Sequence, residues 1–211
     1  MGKRIEHNRK ISSERGKKTR QRKFVILIAS EGKNKTEKNY FHNFQKSKSP
    51  YNIVFANGND TDPLRMVNLL IKQIKKYNLD LAGKDKAYCI FDTDINPTKN
   101  KMIRDAKALA KENNIIVITS SPCIEYWFYL HFDYTTASLT NKEVIKKLKK
   151  FYPKYVKNLD IYPDIVDKTD IAIKWAKKAI KFQIDNNKEI GTIEANPCTE
   201  IYKIIEFLDR S

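Results

Sequence analysis

The chain has 211 residues and a formal charge of +16, which fits one domain, or one domain with an appendage, and points to a polyanionic partner. Half of that excess lies in residues 1–23, where ten Lys/Arg face only Glu6 and Glu14; a lysine-biased composition explains scattered lysines better than this density. Cys89, Cys123 and Cys198 are widely spaced with no C-x-x-C pair, no apolar run nears the roughly 18 residues of a membrane span, and no apolar segment follows the basic start. Disulfide scaffolds, zinc sites, membrane spans and secretory signals are thus disfavoured, and a reducing cytoplasmic setting is expected.

Residues 1–22 lack apolar periodicity and read as a flexible basic arm. Phe24–Ala29 reads as a buried strand, and Thr36–Lys46 as a helix with Tyr40, Phe41 and Phe44 on one side. Asn52–Phe55 is a short strand; Asp62 then caps a helix opened by Pro63, with Leu64, Val67, Leu70, Ile71 and Ile74 as its stripe. Ala87–Phe91 is the next strand, residues 99–113 a helix, and Ile115–Thr119 a further strand. Such alternation predicts an α/β layer with a mostly parallel sheet flanked by helices. Beyond it the pattern is largely helical: Ile124–Phe132, then about 141–151, 168–187 and 197–209. The expected organisation is an arm over 1–22, an α/β core over 23–135, and a helical extension over 136–211 packed on that core. Ser121-Pro122-Cys123-Ile124-Glu125 and Asn196-Pro197-Cys198-Thr199-Glu200 echo one another. Each reads as a capped helix start with Pro in the first position and Glu in the first turn.

Two acidic clusters follow strand-like runs: Glu31-Gly32 after the first, Asp92-Thr93-Asp94 after Ala87–Phe91. Ligands of open parallel sheets bind at the carboxyl ends of the strands. If these strands are neighbours, three carboxylates converge there, and their repulsion calls for a cation. Hard oxygen ligands in a basic protein suggest Mg²⁺ (or Mn²⁺) and phosphate chemistry. Taken singly, Glu31-Gly32 also fits a solvated loop, and Asp92-Thr93-Asp94 a capped strand end. Glu37 reads as a fourth ligand or, preferably, a surface acid favoured by the helix dipole; Glu125 opens the helix after the third strong strand and reads as a metal or water-positioning group, or as a first-turn acid. His131 and Cys123 read as structural, and His42 as a weak acid/base candidate. The aromatic helix 126–132 is core or a dimer face, the latter making a homodimer. A P-loop fails for want of its second glycine.

Ile28 to Phe41, Ile90-Phe91-Asp92-Thr93-Asp94, Ser120 to Phe132 and Asn196-Pro197-Cys198-Thr199 together resemble the RloB-like family of Toprim-fold bacterial defence proteins, over most of residues 24–209. The resemblance implies that Glu31, Asp92 and Asp94 hold Mg²⁺ for phosphodiester cleavage of DNA or RNA, including tRNA. It also implies an ATPase partner and a role in anti-phage defence of the abortive-infection kind. No tyrosine can be placed as a topoisomerase nucleophile, so strand passage is disfavoured. The expectation is a metal-dependent nuclease with Glu31, Asp92, Asp94 and Glu125 catalytic. Arg15, Lys17, Lys18, Arg20, Arg22 and Lys33 would hold the nucleic acid through its backbone. The rivals are a nucleic-acid-binding adaptor or sensor with a vestigial site, and a structural interaction protein.

Overall fold

The computed structural model describes residues 22–31, 35–58, 60–94 and 96–210, with the side chain of residue 210 left aside. Its sheet has five strands: β1 (Phe24–Ser30), β2 (Tyr51–Phe55), β3 (Lys86–Asp92), β4 (Ile116–Ser121) and β5 (Cys198–Thr199). They lie in the order β2-β1-β3-β4-β5; the first four are parallel and β5 runs antiparallel against β4. After β1 the chain crosses to one side for β2, then returns to the other side for β3. The boundary between β1 and β3 is therefore the topological switch point, the place where open α/β sheets leave a crevice.

Strand periodicity divides the core in two. Leu27, Ala29, Ala87, Cys89 and Phe91 face helices α2 (Pro63–Tyr77) and α3 (Pro97–Glu112), meeting Met66, Val67, Leu70, Ile103, Ala106 and Ala110. The first starts as predicted, with Asp62 accepting from the Arg65 amide; the second starts at Pro97, two residues before the expected 99, with Asn96 accepting from the Thr98 amide. On the other face Ile26, Ile28, Tyr88, Ile90 and Ile118 share one cluster with α1 (Thr36–His42), α4 (Glu125–Tyr129) and α5 (Asn141–Phe151). The same cluster takes in α6 (Tyr162–Ile165), α7 (Thr169–Asp185) and α8 (Tyr202–Arg210). The result is a mostly parallel sheet flanked by helices, with a helical C-terminal part. Among the described residues no helix is long and apolar enough to cross a membrane.

Two readings are corrected, and between them one pair of alternatives is decided. The helix expected over 124–132 is α-helical only at 125–129, because its end amides, Tyr126, Trp127, His131 and Phe132, bond three residues back in the tighter 3₁₀ manner. Second, residues 121 to 131 are all buried, so of its two readings, core or dimer face, the aromatic segment takes the first. It is hydrophobic all round because it is covered all round: the Trp127 indole donates to the Tyr40 hydroxyl at 2.9 Å, and Phe128 packs against Tyr40 and Tyr155. Third, the echo around Pro122 and Pro197 is not a pair of helix starts. Both peptide bonds are cis, Cys198–Thr199 is a strand pairing Ser121 and Ser120, and the last helix begins only at Tyr202. Glu200 is taken up by Thr119, accepting from its amide at 3.1 Å and its hydroxyl at 2.7 Å. The two pieces lie side by side in the sheet.

Candidate active site at the carboxyl edge of the sheet

Glu31 follows β1 and Asp92 ends β3, so the register that pairs Ser30 with Ile90 brings them to the same edge at the switch point. Asp94 lies just beyond, with φ of 50°, a left-handed conformation that Asp tolerates better than most residues; its amide donates to the Pro122 carbonyl. Glu125 opens α4 after β4. The edge thus gathers the acids expected from the sequence.

Lys99, unforeseen, lies in the middle of this edge. Its ammonium donates to Glu31 Oε1 at 2.9 Å, Asp94 Oδ2 at 2.7 Å and the Asp92 carbonyl at 3.0 Å. Only 12% of its side chain is exposed. Burial works against the charged form, but bonds to Asp94 and the field of Glu31 outweigh it and raise the pKa. The signal was legible in part. Lys99 is the third residue of α3, where a cation opposes the positive end of the helix dipole and needs a reason to be there.

Glu37 is the second departure. It is buried, at 3% exposure, rather than a surface acid. Counting back from Phe44, Phe41 and Tyr40 by helical spacing puts Glu37 on the same apolar stripe of α1. Its Oε2 has no hydrogen-bond partner; burial, with Glu125 and Glu31 nearby, pushes its pKa to about 7, and its own amide and Lys157 only partly oppose this. Asp92 is likewise buried with an unpartnered Oδ1, and burial together with Glu37, Glu125, Glu31 and Asp94 holds it well above the usual carboxylate range. Glu31 is raised too, by burial and by Asp94 against the opposing pull of Lys99. Glu125 accepts a 3.0 Å bond from Tyr155, whose phenol burial keeps protonated. Tyr155 comes from 30 residues further along and carries no local signature.

Two subsets result. Glu31 and Asp94 are neutralised by Lys99, while Glu37, Asp92 and Glu125 are buried within reach of one another's charge, with two orphan carboxylate oxygens between Glu37 and Asp92. Leaving such atoms bare is costly, so this is where the structure asks for a ligand or protons. The donors are all hard oxygens and fit Mg²⁺ or Mn²⁺. As packed, no three Asp, Glu, His or Cys side chains among the described residues close on one point as a ligand set, since Asp94 is turned to Lys99 and to Asn141 Nδ2 at 2.8 Å.

The remaining expected residues are placed elsewhere. Arg15, Lys17, Lys18, Arg20 and Lys33 lie outside the described residues. Arg22 precedes β1 and its guanidinium pairs with Asp85 at 2.9 Å, at the amino edge of the sheet, opposite the acids. His131 is buried against Trp127, its Nδ1 at 3.0 Å from the Trp127 carbonyl; burial lowers its pKa to about 4 and keeps it neutral. Cys123 is buried and its thiol pushed up by burial, Glu125 and Asp92, so it is inert. His42 is exposed.

Fold and site together define an open α/β protein with a group of buried acids at the carboxyl edge of its sheet. A family model described as RloB-like protein matches residues 26–208. The chain belongs to the RloB-like protein family. No curated protein and no solved structure matches it.

Proposed function

We propose that this protein is a metal-dependent nuclease of the Toprim type, acting on DNA or RNA in the cytoplasm in anti-phage defence and working with an ATPase partner. The observation that carries the reading is the pair of buried, unpartnered carboxylate oxygens, Asp92 Oδ1 and Glu37 Oε2, beside Glu31 and Glu125 at the switch point. Glu31, Asp92 and Asp94 would hold Mg²⁺ or Mn²⁺. When bound, the ion supplies Lewis-acid stabilisation of charge on a phosphate and acidifies water. Glu37, with its pKa near 7, is matched to take up and release a proton at neutral pH. Tyr155 orients Glu125, and Lys99 holds Glu31 and Asp94 in place while no ion is bound. Arm residues with Lys33 would add backbone affinity.

The test is cleavage of plasmid DNA, single-stranded DNA and bulk tRNA by purified protein with Mg²⁺, Mn²⁺ or chelator, without and with the candidate ATPase. Metal-dependent cutting lost in Glu31→Gln, with an unchanged fold, is expected; full cutting by that variant would sink the assignment. A second reading, an adaptor or sensor subunit with a vestigial site, is favoured by the Lys99 ammonium already lying between Glu31 and Asp94. It predicts salt-sensitive nucleic-acid binding that metal leaves unchanged, and no cutting under any condition.

A further inference from the structure

The segment from Asn141 to Asn158 is tied to each loop of the acidic edge in turn. Asn141 Nδ2 donates to Asp94 Oδ1 at 2.8 Å, beyond β3. Tyr155 donates to Glu125 at 3.0 Å, beyond β4. Asn158 Oδ1 accepts from the Lys35 amide at 3.1 Å, and its carbonyl accepts from Asn39 Nδ2 at 2.5 Å, beyond β1. The segment is therefore one wall of the site, built from α5 and the turn after it.

Val144 and Leu148 point α5 inward, and the outward side carries Lys142, Lys146, Lys149 and Lys150, all exposed. The whole segment holds seven lysines and one acid, Glu143, which is engaged in the capping box with Thr140. An exposed Lys-rich helix is ordinarily just a solvated face, and α7 shows what that looks like here: Lys177 pairs with Glu206 and Lys181 with Asp185. Among the described residues none of the four α5 lysines is within salt-bridge distance of an acid; the same holds for Lys174 and Lys178 of α7 and for Lys72, Lys75 and Lys76 of α2, so what sets α5 apart is its place on a segment bonded to every loop of the acidic edge. Lys142–Lys146 and Lys146–Lys150 are like-charge pairs at i,i+4, which weaken a helix unless something compensates. From Lys142 to Lys150 the stripe runs about 12 Å at 1.5 Å per residue. That spans roughly three or four phosphates of one strand at 3.4 Å each.

We propose that this wall, and the Lys142–Lys146–Lys149–Lys150 stripe above all, is the surface on which the phosphate backbone of a nucleic acid lies as it reaches the acidic edge. The choice of nucleic acid as occupant rests on the nuclease reading, and the surface extends that reading to residues outside the basic arm.

The test compares two charge-matched, full-length variants for binding a fluorescein-labelled single-stranded DNA oligonucleotide in chelator, where no cutting intervenes. One is Lys142→Gln/Lys146→Gln/Lys149→Gln. The other is Lys72→Gln/Lys75→Gln/Lys76→Gln on α2, which covers the opposite face of the sheet and whose last turn lies toward the amino edge. Each loses the same charge, and thermal melts check that both stay folded. The α5 variant is expected to bind about tenfold more weakly, with a salt slope shallower by about 2, while the α2 variant stays within about twofold of the parent. Equal loss by both variants, or no loss by the α5 variant, overturns the surface and leaves the nuclease reading standing. A parent that binds no oligonucleotide at any salt overturns both.

Discussion

Asp85 and Asp92 stand at the two ends of β3, and both are buried, at 3% and 9% exposure. Asp85 is fully engaged: it accepts from the Val25 amide at 2.7 Å, the Asp80 amide at 2.9 Å and the Arg22 guanidinium at 2.9 Å. Those bonds fasten the start of β1 and the turn before β3 to one another. Asp92 leaves one oxygen bare among other carboxylates and is held well above the ordinary carboxylate range. Burial of an acid therefore says little about function by itself. What separates a fastener from a reactive group is whether the surrounding donors satisfy its charged form.

The contrast predicts opposite signs for the same chemical change. Asp85→Asn should lower folding stability by about 2–3 kcal/mol, since it removes charge-assisted bonds to buried amides. Asp92→Asn, in chelator, should raise stability by about 1 kcal/mol, because a neutral amide ends the repulsion at that edge. Urea unfolding of both variants checks the pair, and a loss in both would erase the distinction.

The next effect is pH-dependent. The Glu37 pKa is raised by burial, so its contribution is fully present below about 4.5 and lost as pH rises through about 7. The His131 pKa is lowered to about 4, so its contribution runs the other way, lost as pH falls from about 6.5. Comparison with Glu37→Gln isolates the first: between pH 5 and 8 in chelator the parent should lose about 2 kcal/mol relative to the variant. Melting curves at constant ionic strength measure it, and parallel profiles would remove Glu37 from the reactive set.

Lys99→Met should destabilise the chelated protein by about 1–2 kcal/mol, since Glu31 and Asp94 lose their counter-charge. Added Mn²⁺ should then shift the melting temperature of the variant further than that of the parent. The same shift in both would mean that the ammonium does not compete with a bound ion. Smallest is Arg22→Ala, expected to cost no more than about 1 kcal/mol, because 64% of that side chain is in water and the Asp85 amide bonds remain.

Much of this molecule was legible along the chain. Apolar runs and period-3.6 patterns located β1 to β4 and α1 to α3, the cap at Asp62 marked a helix start, and the acids after β1 and β3 marked one edge. Those features are local: each depends on residues within a turn or a strand of one another. What only the tertiary structure decided depends on residues far apart in sequence. The lone antiparallel strand β5 exists because Cys198–Thr199 finds the free edge of β4, against a reading of Pro197 as a helix start. The burial of Glu37 follows from the stripe it shares with Tyr40 and Phe41 and from the helices that close over it. Lys99 reaches Glu31 across 68 positions, and Tyr155 reaches Glu125 across 30. The sequence alone determined which residues are acids and which strands they follow. Folding decided which of those acids are neutralised, fastened or left bare, because that balance is set by donors and by exclusion of water, and both come from the packed neighbours.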